Sequence, residues 1–426
     1  MLFFYKILTT ILYPFLILYI LFRVFRNKEH PKRFKEKIFP SHFNVDKMNK
    51  SKLCWFHVAS IGELNSILPI IEELNSNNDF EFLITTTTLS SSKLADNEFI
   101  KLENIKHRFF PLDVNFLVSR FLSSWKPDLV FLVDSEIWPN LILQIKRKKI
   151  PLALINARIT SKTFKRWNFF SNAATEIFSS FSMCLTSNLE SKQYLEKFKV
   201  KNIYHHGNIK LLSKIDLDKI SNTNDDFLSN NKFWFAASTH RGEENLCLNT
   251  HLKLKREIKE ITTIIAPRHI ERTNEIKKLC ENLNLNYQIL NENEVIQRNK
   301  EIIIINSFGK LNNFFRFAKS VFIGKSTLIK LENESGQNPI DAVKLGCKVY
   351  HGPYVYNFKE VYQILKKKNV AKQIVNATEL SENLARDLKD NNDKKSNISD
   401  FINDLSKKTF SCTMKDINNF LFYADK

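Results

Sequence analysis

Leu53-Cys-Trp-Phe-His-Val-Ala59, followed at once by Ser60-Ile-Gly-Glu63 and the amphipathic stretch Leu64–Leu74, is the part of the sequence that decides the fold. Seven largely apolar residues without polar alternation read as a strand buried on both faces, and the apolar positions after Glu63 recur at helical spacing. The same unit recurs along the chain. Phe80–Thr85, Leu129–Val133 and Pro151–Ile155 are further buried strands, with Phe116–Trp125 as a helix between them, and Phe181–Thr186 and Ile203–His206 complete a first half. Phe233–Ala237, Thr262–Ala266, Ile302–Asn306, Ser320–Ile323 and Lys348–His351 fill a second half, with helices at His269–Leu283 and Asn338–Leu345. Such alternation argues for parallel sheets with crossover helices, so the expected architecture is α/β, two doubly wound Rossmann-like domains facing a cleft. The expected boundaries are an anchor over 1–25, a first domain over 26–210, a polar linker over 211–231, a second domain over 232–405 and a helical segment over 406–426.

Composition bounds the function classes. Hydrophobic residues at 43% with 26% charged describe a folded chain, not a disordered one. Lys and Arg exceed Asp and Glu by 64 to 45, a formal charge of +19, which suits an anionic partner such as an acidic membrane surface or a phosphorylated substrate. A general bias toward Lys, Asn, Ile and Phe yields the same excess without any partner. The six cysteines form no C-x-x-C pair, which argues against a structural zinc site and a disulfide framework and places the bulk of the chain in a reducing, cytoplasmic compartment.

From Leu2 to Phe22 the chain is almost wholly apolar, interrupted by Lys6 and carrying Pro14 at its middle. About 20 such residues just cross a hydrocarbon core as a helix, and a Pro kink allows the alternative of lying in the interface. Arg23, Arg26, Lys28, Lys32, Arg33, Lys35 and Lys37 follow. A basic cluster there keeps the remainder on the cytoplasmic side and favours anionic lipid head groups.

Only eight glycines occur, where average usage gives about 30. Gly62, Gly207, Gly242, Gly309, Gly324, Gly336 and Gly352 adjoin strand or helix ends, where ligands bind in doubly wound sheets; Gly346 reads as an ordinary helix C-cap. Polar residues gather at the same places. Glu63 follows the first strand at a helix start, where it can complement the helix dipole or take a proton from an acceptor hydroxyl. Asp134-Ser-Glu-Ile-Trp-Pro-Asn140 repeats the arrangement with Glu136. In the second half, Ala237-Ser-Thr-His-Arg-Gly-Glu-Glu244 and Ala266-Pro-Arg-His-Ile-Glu-Arg272 are polar turns after strands, the latter placing Arg268 and His269 at a helix N-terminus suited to phosphate or carboxylate. Gly324-Lys325-Ser326 lacks the upstream glycine of a phosphate-binding P-loop, that position being Lys319.

In this order the segments W-F-H-V-A-S-I-G-E, T-T-T-T, D-S-E-I-W-P-N-L-I, I-P-L-A-L-I-N-A-R, G-N-I-K, A-S-T-H-R-G-E-E, P-R-H-I-E-R, G-Q-N-P and G-P-Y-V-Y-N-F-K resemble the Kdo transferases of lipopolysaccharide synthesis, over nearly the whole chain. These enzymes move 3-deoxy-D-manno-octulosonic acid (Kdo) from CMP-Kdo to the lipid A precursor. The resemblance implies a GT-B fold, an inverting and metal-independent reaction without a cofactor, a lipid acceptor on the N-terminal domain, CMP-Kdo on the C-terminal one, and a place on the cytoplasmic side of the inner membrane. It implies Glu63 as general base, with Glu136 and Lys210 stabilising the transition state. For the donor it implies Pro267, Arg268, His269, Phe308, Gly309, Lys310, Ser326, Asn338, Pro339, Ile340 and Asp341. The chain departs from the family pattern where Lys310 and Asp341 replace Glu and where Lys325 and Ser335 replace Gly. A different GT-B transferase with another CMP-activated, sialic-type donor shares most of these residues. A basic membrane or nucleic-acid binder without chemistry leaves the strand-end carboxylates unexplained, and no nucleic acid is expected as partner.

Overall fold

A computed structural model describes residues 1–43, 52–76, 80–100, 102–218, 220, 223–390 and 395–424. The chain divides into two units, Met1–Lys214 with Ser406–Lys426, and Ile215–Leu405. In the first, strands β1 (Lys52–Val58), β2 (Phe80–Thr86), β3 (Ile105–Phe109), β4 (Leu129–Val133), β5 (Leu152–Ala157), β6 (Met183–Thr186) and β7 (Ile203–His205) form one sheet in the order β3-β2-β1-β4-β5-β6-β7. Every pairing is parallel, and the order turns back between β1 and β4, the switch point at which such sheets bind ligands. Successive residues of a strand point to opposite faces. Trp55, Leu83, Val130 and Leu154 therefore enter one core, and Cys54, Phe56, Phe82 and Phe131 the other. That double burial is why the strands read as unbroken apolar runs.

The second unit repeats the plan. Strands β8 (Phe233–Thr239), β9 (Thr262–Pro267), β10 (Tyr287–Leu290), β11 (Ile302–Ile305), β12 (Ser320–Ile323), β13 (Lys348–His351) and β14 (Ala371–Gln373) run in parallel in the order β10-β11-β9-β8-β12-β13-β14. Trp234, Ala236, Ile265, Ile304 and Phe322 build a core on one of its faces. Strands β3, β10 and β14 have no counterpart in the sequence reading. The first two are edge strands with partly exposed residues, and β14 is a three-residue edge.

The apolar N-terminus, expected as one anchor helix over 1–25, is instead two helices, α1 (Leu2–Ile11) and α2 (Tyr13–Phe25), bent by 57°. Pro14 lies in the first turn of α2, where its missing N–H breaks no helical bond. Among the described residues no single helix is long and apolar enough to cross a membrane, although the bent pair passes that test together. One side of the pair packs on the first unit through Leu2, Tyr13, Leu16 and Ile20. Tyr5 donates to Asp113 at 3.0 Å, Asn140 donates to Thr9 at 3.1 Å and the Tyr13 hydroxyl donates to the Ile38 carbonyl. The other side exposes Phe3, Phe4, Ile11, Phe15, Leu18 and Phe25.

Residues 211–231, read as a linker, divide between the units. Leu211 and Leu212 are buried in the first, and the helix Asp225–Asn230 buries Phe227 and Leu228 in the second. The C-terminal helix (Lys395–Ala424) adds to the first unit from Ser406 onward. There Ser406 and Thr409 donate to the carbonyls of Leu211 and His206 at 2.6 and 3.1 Å, Asp416 pairs with His206 at 2.6 Å, and Met414, Ile417 and Phe420 complete the core. The helix is therefore part of the fold it returns to. Ile417→Ala, which empties a fully buried site, is expected to destabilise the first unit by about 2–5 kcal/mol, read as a lowered midpoint in denaturant unfolding; a change within about 0.5 kcal/mol contradicts this packing role.

Candidate active site

Glu63 opens the helix Ile61–Asn75 directly behind β1. Ser60 caps that helix by accepting from the Glu63 N–H, and the carboxylate turns back to accept from the Ala59 N–H at 2.7 Å and the Ser60 hydroxyl at 2.9 Å. This reciprocal cap fixes the rotamer at the carboxyl end of the central strand. Burial, reinforced by the negative charges of Asp134 and Glu136, raises the Glu63 carboxyl to about 7. A carboxyl with that midpoint can accept a proton near neutral pH and release it again.

Glu136 follows β4, the neighbour of β1. Its Oε2 accepts from the Trp138 indole N–H at 2.8 Å and lies 3.2 Å from His57 Nε2. The His57 ring is fully buried, stacked on Phe110 at 3.8 Å, with Nδ1 3.0 Å from the Thr85 hydroxyl. Trp55 donates to that same hydroxyl at 2.8 Å. Nδ1 also lies 3.2 Å from the Thr85 carbonyl, and with Glu136 ionised the Nε2–H donates to it. A buried chain of hydrogen bonds thus aims Glu136 from beneath the sheet edge.

Lys210 reaches the same edge from beyond β7. Asn208 accepts from its N–H at 3.0 Å and buried Asn156, near the end of β5, accepts from the Ile209 N–H at 3.1 Å. Its ammonium then donates to Asp134 Oδ2 at 2.7 Å. Asp134 and Asn156 both have left-handed backbones, φ 62° and 56°, a conformation that Asp and Asn tolerate better than most residues. Asp134 Oδ2 is the buried partner of the pair, its side chain 8% exposed against 20% for Lys210. The sequence-derived trio of Glu63, Glu136 and Lys210 therefore comes together at the ends of β1 and β4. Asp134 and His57 join it without having been singled out, although the first stands two residues before Glu136 and the second six before Glu63.

In the second unit the expected donor residues sit just after β9, β11 and β12 and at the start of the helix Ile340–Lys344 that precedes β13. Pro267 is buried at the end of β9, and Arg268 and His269 are exposed just after it, with the Arg268 N–H donating to Thr239 O at 3.0 Å. Phe308 is 62% exposed and Gly309 has φ 80°. Lys310 pairs with Glu292 at 2.8 Å, a local partner for the reversed charge. Ser326 is buried and internally engaged: it donates to Ile323 O at 2.7 Å and accepts from the Gly352 N–H at 2.9 Å. Asn338 accepts from the Ile340 N–H at 3.0 Å, behind Pro339, at the start of the helix Ile340–Lys344. Burial raises the Asp341 carboxyl and lowers Lys344 on the next turn to about 8.

Two glutamates organise these turns. Glu243 is fully buried and accepts from the N–H groups of His240, Lys325, Ser326 and Thr327 at 2.7–3.0 Å and from the Thr327 hydroxyl at 3.0 Å. Glu244 takes the Arg272 guanidinium with both oxygens, at 2.8 and 3.0 Å. The sequence marks Ala237–Glu244 as a polar turn after a strand; the buried loop that these two acids hold has no sequence signal.

Residues 32–213 match the family described as 3-Deoxy-D-manno-octulosonic-acid transferase (kdotransferase). Over 382 residues the chain is 30% identical to the probable 3-deoxy-D-manno-octulosonic acid transferase, mitochondrial, of Arabidopsis thaliana, covering 86% of this chain and 82% of the plant protein. Over 399 residues it is 27% identical to the 3-deoxy-D-manno-octulosonic acid transferase of Rickettsia bellii (strain RML369-C), covering 92% and 91%. Among solved structures it is similar in fold to a UDP-GlcNAc 2-epimerase from Neisseria meningitidis bound to UDP-GlcNAc, with TM-score 0.59 and 15% identity over 88% of this chain and 100% of that one. A glycosyltransferase from Rickettsia africae ESF-5 gives TM-score 0.58 and 13% identity over 88% and 99%.

The Asp134 charge that helps to raise Glu63 is removable. Asp134→Asn keeps a residue that accepts the left-handed backbone, removes the repulsion and releases the Lys210 cation, so the Glu63 carboxyl is expected to titrate at lower pH. Carbon-detected NMR of the carboxyl measures this, and an unmoved midpoint shows that the Asp134 charge does not act on Glu63.

Proposed function

The chain belongs to the 3-deoxy-D-manno-octulosonic acid (Kdo) transferase family and is a glycosyltransferase, and on that footing we propose that it carries Kdo from CMP-Kdo to the lipid A precursor in lipopolysaccharide synthesis. The observation that carries this reading is Glu63: a capped, half-buried carboxyl raised to about 7 at the switch point of the first sheet. In the proposed reaction Glu63 takes the proton of an acceptor sugar hydroxyl as its oxygen bonds to the anomeric carbon of Kdo. The bond from that carbon to the CMP phosphate breaks, and CMP leaves with the electron pair. Attack opposite the leaving group inverts the anomeric centre. Lys210, oriented by Asp134, offers a cation to the charge that grows in the transition state, and Glu136, aimed by His57 and Trp138, faces the positive character developing on the sugar ring. Arg268 and the turn at Gly309 serve the CMP moiety. The reaction is read as metal-independent. The exposed apolar side of α1 and α2 supports a further part of the proposal, attachment to the cytoplasmic face of the inner membrane, in the bilayer's interface.

Gly62 supports Glu63's place at the reacting centre. It is exposed within a helix, and an added Cβ meets nothing within 4 Å, so the fold itself does not ask for glycine there. Alanine is expected to stabilise the helix by about 0.5–1 kcal/mol while slowing transfer by crowding the incoming acceptor; a Gly62→Ala enzyme with unchanged kinetics places the acceptor elsewhere.

The direct test is mass spectrometry of the lipid after incubating the protein with CMP-Kdo and tetra-acylated lipid A precursor, in which a Kdo mass increment is expected. Because the base acts deprotonated, the rate should rise with pH through about 7 and level off above it. Glu63→Gln should lower kcat by about 10²–10⁴-fold and abolish that limb, with CMP-Kdo binding kept. Arg268→Ala should instead weaken CMP-Kdo binding. Full transfer by Glu63→Gln removes it as the base.

A further inference from the structure

The helix Ser161–Phe169, which follows β5, carries a surface that the transfer chemistry does not use. Lys162, Lys165, Arg166 and Phe169 are exposed, and their i, i+3, i+4 and i+7 spacing puts them on one face. Phe169 is 82% and Phe170 45% exposed, their rings in edge contact at 4.8 Å. The opposite face is pinned by aromatic packing: Phe164 stacks on Tyr194 at 4.2 Å and Trp167 meets Phe178 edge-on at 5.4 Å. The orientation of the basic face is therefore fixed. Lys162 also interacts within the protein, whereas among the described residues no carboxylate pairs with Lys165 or Arg166. A merely solvated face accounts for three cations; it does not account for two adjacent exposed phenylalanines at their end.

The helix also has a defined position. It leaves the same edge of the sheet as the catalytic carboxylates, since the Arg158 N–H donates to Asp134 O at 3.1 Å and the Ser135 hydroxyl donates to Arg158 O at 3.0 Å. Phe164 and Trp167 pack on the same core cluster that receives Leu2, Tyr13 and Leu16 from α1 and α2. We propose that this helix is a second membrane contact, with Lys162, Lys165 and Arg166 on the phosphates of anionic phospholipids and Phe169 and Phe170 in the boundary below them. Cations in the head-group layer with aromatics just beneath is how an interfacial helix distributes its two faces. Together with α1 and α2 it fixes the catalytic edge of the first unit toward the bilayer. The inference rests on the membrane-transferase reading.

Its test uses the full chain and vesicles of phosphatidylcholine, alone or with one third phosphatidylglycerol. Each surface Lys or Arg contributes about fivefold in partitioning, the equivalent of about 1 kcal/mol, so K162S/K165S/R166S should bind anionic vesicles on the order of 100-fold less tightly. The difference should vanish at about 1 M salt, where charges are screened within about 3 Å, and binding to neutral vesicles should be unchanged. F169S/F170S should weaken binding to both vesicle types. Equal binding of the triple variant and the parent to anionic vesicles overturns the proposal. So does a triple variant that binds vesicles normally but loses transfer to acceptor in detergent micelles, because the cations then serve the acceptor. A parent protein that transfers no Kdo in micelles refutes the underlying reading instead, independently of the vesicle result.

Discussion

Lys210 meets Asp134 across 76 residues of sequence, and this contact ties the segment leaving β7 to the end of β4. Neither partner would be comfortable alone: a carboxylate this buried needs a counter-charge, and breaking such a pair from one side costs about 3–5 kcal/mol. Asp134 also holds a left-handed backbone and accepts from the Arg158 N–H, so the same residue sets the exit of β5. Its negative charge then reaches Glu63 and helps to raise it. One carboxylate thus aligns a cation, shapes a turn and helps to raise a neighbouring carboxyl.

Strands with both faces covered are the ones that apolar runs reveal most plainly, although the partly exposed edge strand β7 is also read from Ile203–His206. β1, β4, β5 and β8 show uninterrupted burial or nearly so, and their residue types say as much. β3, Ile-Lys-His-Arg-Phe, alternates because it is an edge with its buried and half-buried positions interleaved, and its charged residues resemble a loop to any search for apolar runs. Glu63, Glu136 and Lys210 were legible through ordered motifs. Asp134 and His57 were not, since their roles are pairings with residues far away in sequence: 76 residues for Asp134 and 79 for His57. A buried histidine on a strand looks like core until its carboxylate partner is placed beside it.

The second unit shows where rare glycines are required. A Cβ on Gly324 would lie 2.4 Å from Ser238 O, and one on Gly352 would lie 2.2 Å from Ser326 O. Backbone segments cross here with no room for a side chain, so these two positions answer to the fold before any ligand. Glu243 completes the crossing, gathering the N–H groups of two strand ends on one buried carboxylate. This also explains why Lys325 can stand where the related pattern has glycine: its backbone takes φ 57°, but its N–H is held by Glu243, which offsets the strain of a left-handed non-glycine residue.

The positive excess divides into cations that hold the fold and cations that face outward. Of the basic cluster that begins in the last turn of α2, Arg23 and Lys37 both pair with Glu29, Lys37 from a buried position. Arg33 pairs with Glu36 and Asp96. These three tie the N-terminal segment together and to the first unit, so they are not available to lipid head groups in this arrangement. Arg26, Lys28, Lys32 and Lys35 remain exposed. A count of positive residues next to an apolar segment therefore overstates the charge presented to a membrane. Compositional bias alone would scatter the exposed cations evenly. The coincidence of Lys162, Lys165 and Arg166 with two exposed phenylalanines, on a helix whose other face is locked by aromatic packing, is a spatial pattern. It is there that the excess carries information that composition does not.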